Sequence, residues 1–327
     1  MAKVLAASIS FCKFSANQKP GEILREAGIA VDISDKGKAL TEAELLSVIE
    51  NYDGIIVGTD PMTPEVIRKG NNLKIIAKNG VGYDNIHLRV ATDQRVYVTY
   101  TPGAVEQTVA DSTFALIFAL ARNIVLGNTG IRNGEWPRLI GTDVSNKKLG
   151  VIGLGRIGKN VVIRSSGFNM EVYAYDPLAD EEFCEQYGVQ QVDLDTLFKT
   201  CDIVTIHTPL MESTRHIVNK RTLSLMRPEA VLINTARGEL VDEKALYEAL
   251  KEKKIAGAAL DVFSSEPPSR DDPLFELDNV ILTPHIAGYS RDALLASGTM
   301  VAESIVAAIS GEIPPYLVNK ELIGLFS

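Results

Sequence analysis

Three side chains that could share acid–base chemistry each follow a predicted strand: Arg237, Glu266 and His285. A histidine titrates near neutral pH, so it can take a proton from a hydroxyl group or return one to a carbonyl oxygen. A carboxylate beside it would fix the tautomer of the imidazole and favour its charged form. An arginine can hold a carboxylate with paired N–H bonds, which a lysine cannot supply. With a hydride carrier nearby, these groups predict interconversion of an alcohol and a carbonyl compound.

A glycine-rich stretch provides the expected site for such a carrier. The sequence Gly153-Leu154-Gly155-Arg156-Ile157-Gly158 lies between a short apolar run and a helical segment, and a second apolar strand ends on Asp176. In this order the first glycine permits a tight turn, the second lets the backbone approach a pyrophosphate, and the third lets the helix pack closely on the strand. The acid is placed to bind the adenosine ribose, and its charge would repel a 2′-phosphate. The sequence therefore predicts NAD as the cofactor.

Further residues at predicted strand ends could contact ligands. The loop Asn79-Gly80-Val81-Gly82 exposes backbone N–H groups that could hold a substrate carboxylate, and we expect it to face the three residues above across a cleft. Lys78, beside this loop, could contact a second anionic group. His207 ends another strand and is followed by Pro209, so we expect it to line the adenine pocket, with a catalytic role left open.

Alternating strand and helix patterns predict the elements that position these residues. The first hundred residues form a βαβ series, which predicts a parallel sheet covered by helices. The turn-forming residues Thr101-Pro102-Gly103 mark a domain boundary. After Gly288 the apolar residues again have helical spacing, and we expect this tail to pack back on the N-terminal domain. The predicted fold is α/β, with two Rossmann-like or flavodoxin-like domains. An NAD-binding domain at 101–289 is inserted into a discontinuous substrate domain, 1–100 plus 290–327.

Composition excludes several classes of partner. The net charge of −9, with no basic run, argues against nucleic acid. The most apolar segment, residues 114–121, is too short to span a bilayer, so no membrane is expected. The three cysteines are far apart, which is typical of free thiols in a reducing compartment and predicts a cytoplasmic protein. No metal-ligand spacing is present in the sequence, so no metal is expected.

Taken together, the motifs resemble the D-isomer-specific 2-hydroxyacid dehydrogenase family. The resemblance rests on the stretches Leu154–Gly158, Asn234–Gly238, Asp261–Phe263 with Glu266-Pro267, and Thr283–Ile286. It implies a two-domain dimer that pairs through the helix and arm of residues 101–146, with Arg237, Glu266 and His285 as the catalytic trio. It further implies NAD contacts from residues spread over the nucleotide domain: Thr108, Arg156, Ile157, Asp176, Thr235, Ala236, Asp261 and Gly288.

The substrate stays open within this family. The stretch Asn79–Ile86 resembles the substrate loop of the 3-phosphoglycerate dehydrogenase branch. Enzymes of that branch typically carry an arginine for the phosphate in the turn after the third strand, whereas this turn, residues 58–63, has Asp60. Phosphoglycerate, glyoxylate or hydroxypyruvate, and a phosphonate-like analogue are all compatible with the motifs. A rival from another class is an NAD-sensing binding protein similar to the corepressors that share the fold.

Overall fold

The computed structural model describes residues 1–324 and divides into two compact units. One unit holds Met1–Val105 and the segment that begins at Tyr289, and the other is Glu106–Gly288. The strands are β1 Lys3–Ala6, β2 Ala30–Ile33, β3 Gly54–Val57, β4 Ile75–Lys78, β5 Tyr97–Thr99, β6 Lys148–Ile152, β7 Glu171–Tyr175, β8 Gln190–Gln191, β9 Ile203–Ile206, β10 Val231–Asn234, β11 Gly257–Leu260 and β12 Val280–Leu282.

Helices connect most of the consecutive strands, and a final helix follows the last strand. They are α1 Ile9–Lys13, α2 Lys19–Glu26, α3 Glu42–Val48, α4 Pro64–Lys69, α5 Leu88–Asp93, α6 Glu106–Ala121, α7 Ile124–Arg132, α8 Arg156–Ser165, α9 Glu181–Tyr187, α10 Leu194–Thr200, α11 Lys220–Leu223, α12 Glu243–Lys251 and α13 Arg291–Ile309.

The first unit is a parallel five-stranded sheet in the order β2-β1-β3-β4-β5. Ile55 packs with α3, α4 and α5 on one face, and Ile56 packs with α2 and α13 on the other. Because both faces are covered by helices, the central strand β3 is buried at all four positions, which explains its continuous apolar run. Short local signals also hold: Thr41 and Glu44 form the capping box that their spacing predicts at the start of α3.

Helix α13 completes the first unit. By length and composition it is apolar enough to cross a membrane, as are α6 and α7 together across a 63° bend. In the first unit α13 packs on α2 and buries Val301, Ala302 and Ile305 in the same core as Phe11. The tail therefore belongs to the N-terminal unit, as predicted, and that unit is discontinuous.

The second unit is a parallel seven-stranded sheet in the order β12-β11-β10-β9-β6-β7-β8. Strand β6 pairs with β7 on one side and with β9 on the other. Strands β7 and β8 therefore lie on one side of β6 and those from β9 onwards on its other side, so the strand order reverses at β6. Ligands of such sheets bind beyond the carboxyl ends of the strands at this reversal. The glycine-rich loop follows β6 directly, and α6 packs on α8 and on the neighbouring strands.

Candidate active site

The glycine-rich loop has the geometry of a dinucleotide cradle. Gly153 has a φ of 95°, and a Cβ there would lie 2.7 Å from the His207 backbone. A Cβ on Gly158 would lie 2.0 Å from the Gly153 carbonyl oxygen, so α8 can approach β6 only with glycine at this position. At Gly155, by contrast, a Cβ would meet nothing within 4 Å, which leaves the space over the loop open to a ligand. The N–H groups of the first turn of α8, which begins at Arg156, can serve a pyrophosphate there.

Asp176 is tied to this loop by a hydrogen bond. The Leu154 amide donates to Asp176 Oδ2 at 2.7 Å, and the Leu178 amide donates to Oδ1 at 2.8 Å. The carboxylate therefore sits at the end of β7 beside the turn that follows β6. This is the position from which an acid can reach the adenosine ribose of a bound NAD.

Arg237 stands on a turn that Asn234 organises. The Asn234 side chain is fully buried; its Oδ1 accepts from the Ala236 amide at 3.0 Å and its Nδ2 donates to the Arg237 carbonyl oxygen at 2.7 Å. The Arg237 guanidinium donates to the Ala236 carbonyl oxygen at 2.7 Å. These bonds fix the backbone that carries the guanidinium at the end of β10.

Gly238 allows two of the predicted stretches to meet. An ideal Cβ on Gly238 would lie 1.9 Å from the Phe263 carbonyl carbon and 2.2 Å from the Ser264 nitrogen. Only a glycine permits this approach of the backbone after β10 to the loop after β11. That loop carries Glu266, and the positive charge of Arg237 is close enough to help lower the pKa of its carboxyl group.

Glu266 and His285 form the central pair of the site. The distance between His285 Nδ1 and Glu266 Oε2 is 2.7 Å, and Oε1 accepts from the Phe263 amide at 3.2 Å. Burial alone would raise the pKa of Glu266, but the hydrogen bond from His285, the Phe263 amide and the Arg237 charge outweigh it, so the pKa lies below its ordinary value. Glu266 is therefore an anion at neutral pH.

Asp261 holds the turn that presents His285. Its Oδ1 accepts from Thr283 Oγ1 at 2.6 Å and from the Ile286 amide at 2.9 Å, and its Oδ2 accepts from the Ala287 amide at 2.8 Å. The pKa of Asp261 is raised, because burial outweighs these hydrogen bonds. His285 itself has a φ of 53°, in the left-handed region, and its amide donates to the Asp261 carbonyl oxygen at 2.7 Å. The cofactor contact expected of Asp261 stays a prediction.

His207 is buried at the end of β9, beside the glycine-rich loop. Its Nε2 lies 2.9 Å from Thr205 Oγ1, while its buried Nδ1 has no hydrogen-bond partner among residues 1–324. Burial lowers the pKa of His207 to about 3, so the ring is neutral at physiological pH. This favours the predicted role in lining a pocket over a role in acid–base chemistry. Pro209, two residues on, is exposed.

The remaining predicted cofactor residues lie on α6, after β10 and at the end of the His285 turn. Thr235 is buried with its Oγ1 3.3 Å from Thr113 Oγ1, and Thr108 and Gly288 are half-buried. Their contacts with NAD stay predictions.

The predicted substrate loop lies in the first unit, after β4. Asn79 Nδ2 donates to Ser8 Oγ at 3.2 Å and to Ser10 Oγ at 3.0 Å, and the Gly80 carbonyl oxygen accepts from the Thr101 amide at 3.0 Å. Gly80 has a φ of 151°, and Val81 and Gly82 are half-buried.

Lys78 is 6% exposed and donates to atoms of its own unit, which disfavours the expected contact with a second anionic group.

Several supporting residues were not assigned a role from the sequence. Asn234 and Gly238 position Arg237. Thr283 donates a hydrogen bond to Asp261. Ser112 on α6 donates to the Ala287 carbonyl oxygen at 2.9 Å. Asn234 had a sequence signal, because it is a polar residue at the end of an otherwise apolar strand. The bond from Ser112 had none, since it joins residues that are far apart in the chain.

Comparison with known proteins decides the family. The family model described as D-isomer specific 2-hydroxyacid dehydrogenase, NAD binding domain, matches residues 114–287. The chain is 45% identical over 286 residues to a glyoxylate reductase of Korarchaeum cryptofilum, and the matched region covers 85% of this chain and 86% of that protein. The chain belongs to the D-isomer specific 2-hydroxyacid dehydrogenase family. The family resemblance seen in the sequence is confirmed.

This dehydrogenase has other relatives with different names. It is 45% identical over 303 residues to a D-3-phosphoglycerate dehydrogenase of Methanocaldococcus jannaschii; the match covers 91% of this chain but 57% of that relative, a little over half its length. The solved structure of a D-lactate dehydrogenase from Aquifex aeolicus, complexed with NAD and lactic acid, has a TM-score of 0.83 and 28% identity, covering 95% of this chain and 96% of that one. The protein is an NAD-dependent oxidoreductase of 2-hydroxy acids with the predicted two-domain α/β fold.

Proposed function

We propose that this dehydrogenase interconverts a small D-2-hydroxy acid and its 2-oxo acid, with His285 as the acid–base group, Glu266 as its partner and Arg237 as the ligand of the substrate carboxylate. The observation that carries the proposal is the 2.7 Å contact between His285 Nδ1 and Glu266 Oε2. Bound NADH supplies the hydride in the reducing direction.

The pair assigns distinct roles to the two ring nitrogens of His285. Because Nδ1 is held by Glu266, Nε2 is the nitrogen that can face the substrate oxygen. An ionised Glu266, favoured by its lowered pKa, stabilises the imidazolium that must form when a hydroxyl proton is taken up. In the reducing direction the same Nε2 donates a proton to the oxygen as hydride reaches the carbonyl carbon.

Arg237 suits the second task, which is to hold the substrate acid in register. Its backbone is fixed by Asn234, and Gly238 keeps it against the loop of Glu266. A planar guanidinium can bind the carboxylate and the reacting oxygen with directed N–H bonds. The amides of the Asn79–Gly82 loop are proposed to add to carboxylate binding.

We favour an unphosphorylated 2-oxo acid of the glyoxylate or hydroxypyruvate type. The relative from Korarchaeum cryptofilum is named glyoxylate reductase. In addition, the turn after β3 carries Asp60, a buried carboxylate, where a phosphate ligand would be a cation. The second candidate is 3-phosphoglycerate, favoured by the 45% identity to the relative from Methanocaldococcus jannaschii.

The test is NADH oxidation with a panel of 2-oxo acids that includes glyoxylate, hydroxypyruvate, phosphohydroxypyruvate and a phosphonate analogue. We expect turnover with the first two, and loss of about two to four orders of magnitude in kcat for His285→Ala with NADH affinity retained. Preference for phosphohydroxypyruvate would select the second candidate. NADH binding without turnover of any acid would overturn the proposal in favour of an NAD-sensing binding protein.

We further propose a homodimer that pairs through the helix and arm of residues 101–146, a segment that contains α6, α7 and the arm that follows them. This segment exposes large apolar side chains: Trp136 at 77%, Ile140 at 95% and Ile131 at 53%. A cluster of this kind on one short segment is typical of a protein interface. Light scattering is expected to give twice the 35.5 kDa of one chain, and Ile140→Asp to shift the species towards the monomer. A wild-type monomer at micromolar concentration would contradict the proposal.

The cytoplasmic location stays a proposal. Cys12, Cys184 and Cys201 are free thiols, as a reducing compartment would keep them. Fractionation of cells followed by detection of the protein would test it, and recovery in the membrane or the medium would contradict it.

A further inference from the structure

Lys78 is buried at the end of β4, where its ammonium group joins two stretches of the first unit. It is 6% exposed, and its Nζ donates to the Gly58 carbonyl oxygen at 2.5 Å and to Asn85 Oδ1 at 3.1 Å. Gly58 follows β3, and Asn85 lies seven residues after Lys78 on the far side of the glycine loop. The lysine therefore links the two ends of that loop to the neighbouring strand end.

The Asn85 amide completes the same network from the other side. Its Nδ2 donates to the Gly58 carbonyl oxygen at 3.1 Å and to the Asp60 carbonyl oxygen at 2.6 Å. Two donors, one on each end of the loop, thus share the Gly58 carbonyl. We call Lys78, Asn85, Gly58 and Asp60 the loop clamp.

Asp60 fixes the turn on which the clamp is built. It is 1% exposed, and its Oδ2 accepts from the Gly58 amide at 2.8 Å while its Oδ1 accepts from the Leu40 amide at 2.8 Å. Both carboxylate oxygens are therefore used within the unit. The acid that stands in the turn after β3 serves the backbone of that turn and keeps the Gly58 carbonyl in place.

The glycine loop enclosed by the clamp is also held from the β1, β3 and β5 sides. Asn79 Nδ2 donates to Ser8 and Ser10, the Asn79 backbone amide donates to the Val57 carbonyl oxygen, and the Thr101 amide donates to the Gly80 carbonyl oxygen. Gly80 has a φ of 151°, which would be strained for any other residue. The backbone N–H groups of the loop can bind a carboxylate only if they point to one spot, because a displacement of about 1 Å is enough to cost activity heavily.

We infer that Lys78 is a positioning residue, which closes the base of the Asn79–Asp84 loop and sets the direction of its amides, and that it is no ligand for a second anionic group of the substrate. The inference rests on the proposed function, since the loop is taken to bind the substrate carboxylate. It follows that phosphorylated 2-oxo acids gain nothing from Lys78 over unphosphorylated ones.

The test compares Lys78→Met with Asn85→Ala and with Lys74→Met, an exposed lysine just before β4 that serves as the matched control. For Lys78→Met we expect KM for glyoxylate to rise about tenfold, with kcat changed less, as for loss of a hydrogen bond from a charged group. The same factor is expected for phosphohydroxypyruvate. Asn85→Ala should act similarly, and the double variant should lose less than the product of the two single factors because both remove one network.

Hydrogen exchange in the absence of substrate separates this inference from the proposed function. Residues 79–85 are expected to exchange faster in Lys78→Met and in Asn85→Ala, while α4, α13 and the Lys74→Met variant stay as in the wild type. If no acid is turned over but the exchange changes as expected, the proposed function fails and the clamp stands. Unchanged exchange, or a KM increase confined to phosphohydroxypyruvate, overturns the clamp. Lys78→Gln, which keeps a neutral donor at this position, provides a milder variant should Lys78→Met not fold.

Discussion

The amide of Leu154 donates a hydrogen bond to the carboxylate of Asp176 across 2.7 Å, which joins the glycine-rich loop to the end of the neighbouring strand. Asp176 thus has two roles, and a substitution that removes both at once would not show which of them causes the measured effect. Its charge is expected to exclude the 2′-phosphate of NADP, and its oxygen holds the glycine-rich loop, which is expected to bind the pyrophosphate. The two roles can be separated by the choice of replacement.

Asp176→Asn removes the charge and keeps an oxygen that can accept from Leu154. We expect its NAD affinity to fall by less than about tenfold and its discrimination against NADP to fall more, because the loop is retained and the repulsion is lost. Asp176→Ala should lower affinity for both cofactors, since it also frees the loop. Fluorescence titration with NADH and NADPH measures both effects. Selectivity that is the same in the wild type and both variants would show that Asp176 does not discriminate between the cofactors.

Glu266→Gln keeps the size of the side chain and removes its charge. We expect kcat to fall by about 10²-fold or less, because the imidazolium of His285 loses its anionic partner while Nε2 remains in place. NADH affinity should stay within about twofold of the wild-type value, since Glu266 is not among the residues predicted to contact the cofactor. Stopped-flow reduction of glyoxylate gives the rate of the chemical step. A Glu266→Gln enzyme with the full rate would remove Glu266 from the proposed trio.

Most of this architecture could be predicted because the signals are local. The strand β7, Glu171–Tyr175, and the helix α4, Pro64–Lys69, lie where the apolar pattern and the proline place them. The strands β5 and β8 were not predicted. The second has two exposed glutamines and carries no apolar signal. The first lies in the run of residues 96–100, whose valines, tyrosines and threonine are typical of a strand, so a signal for it was present.

The site shows the same limit at the level of single residues. Motifs identified His285 and Glu266 as candidates, and the structure brings them to 2.7 Å. The surroundings of Lys78 depend instead on a carbonyl 20 residues away and on an amide beyond the loop, and no sequence pattern specifies such contacts. A lysine beside a glycine loop resembles an anion ligand in the sequence. In the structure, however, the Lys78 side chain is buried and its ammonium group donates to atoms of the first unit.

Gly238→Ala tests whether close backbone contact assembles the site. The added Cβ would lie 1.9 Å from the Phe263 carbonyl carbon, so the loop of Glu266 must move away from Arg237. We expect a loss of about 1–3 kcal/mol in the free energy of unfolding, as for other overpacked positions, together with a large fall in kcat/KM. Gly167→Ala is the control, because a Cβ there meets nothing within 4 Å. Urea denaturation and steady-state kinetics of the two variants give the comparison; equal behaviour would mean that the loops can separate without consequence.

The lowered pKa of Glu266 predicts a pH dependence of stability with a definite sign. The ordinary pKa of a glutamate is about 4.5, and the folded protein holds the pKa of Glu266 below that, so folding favours the ionised carboxylate. The contribution is fully present above the unfolded pKa and is lost as the pH falls through the lower folded value. Because Glu266→Gln cannot titrate, the stability difference between wild type and variant should be largest near pH 6–7, about where glutamate is ionised in both states, and should shrink towards pH 3. Urea denaturation over this range measures the difference. A gap that stays constant down to pH 3 would show that the bond to His285 does not lower the pKa of Glu266 in solution.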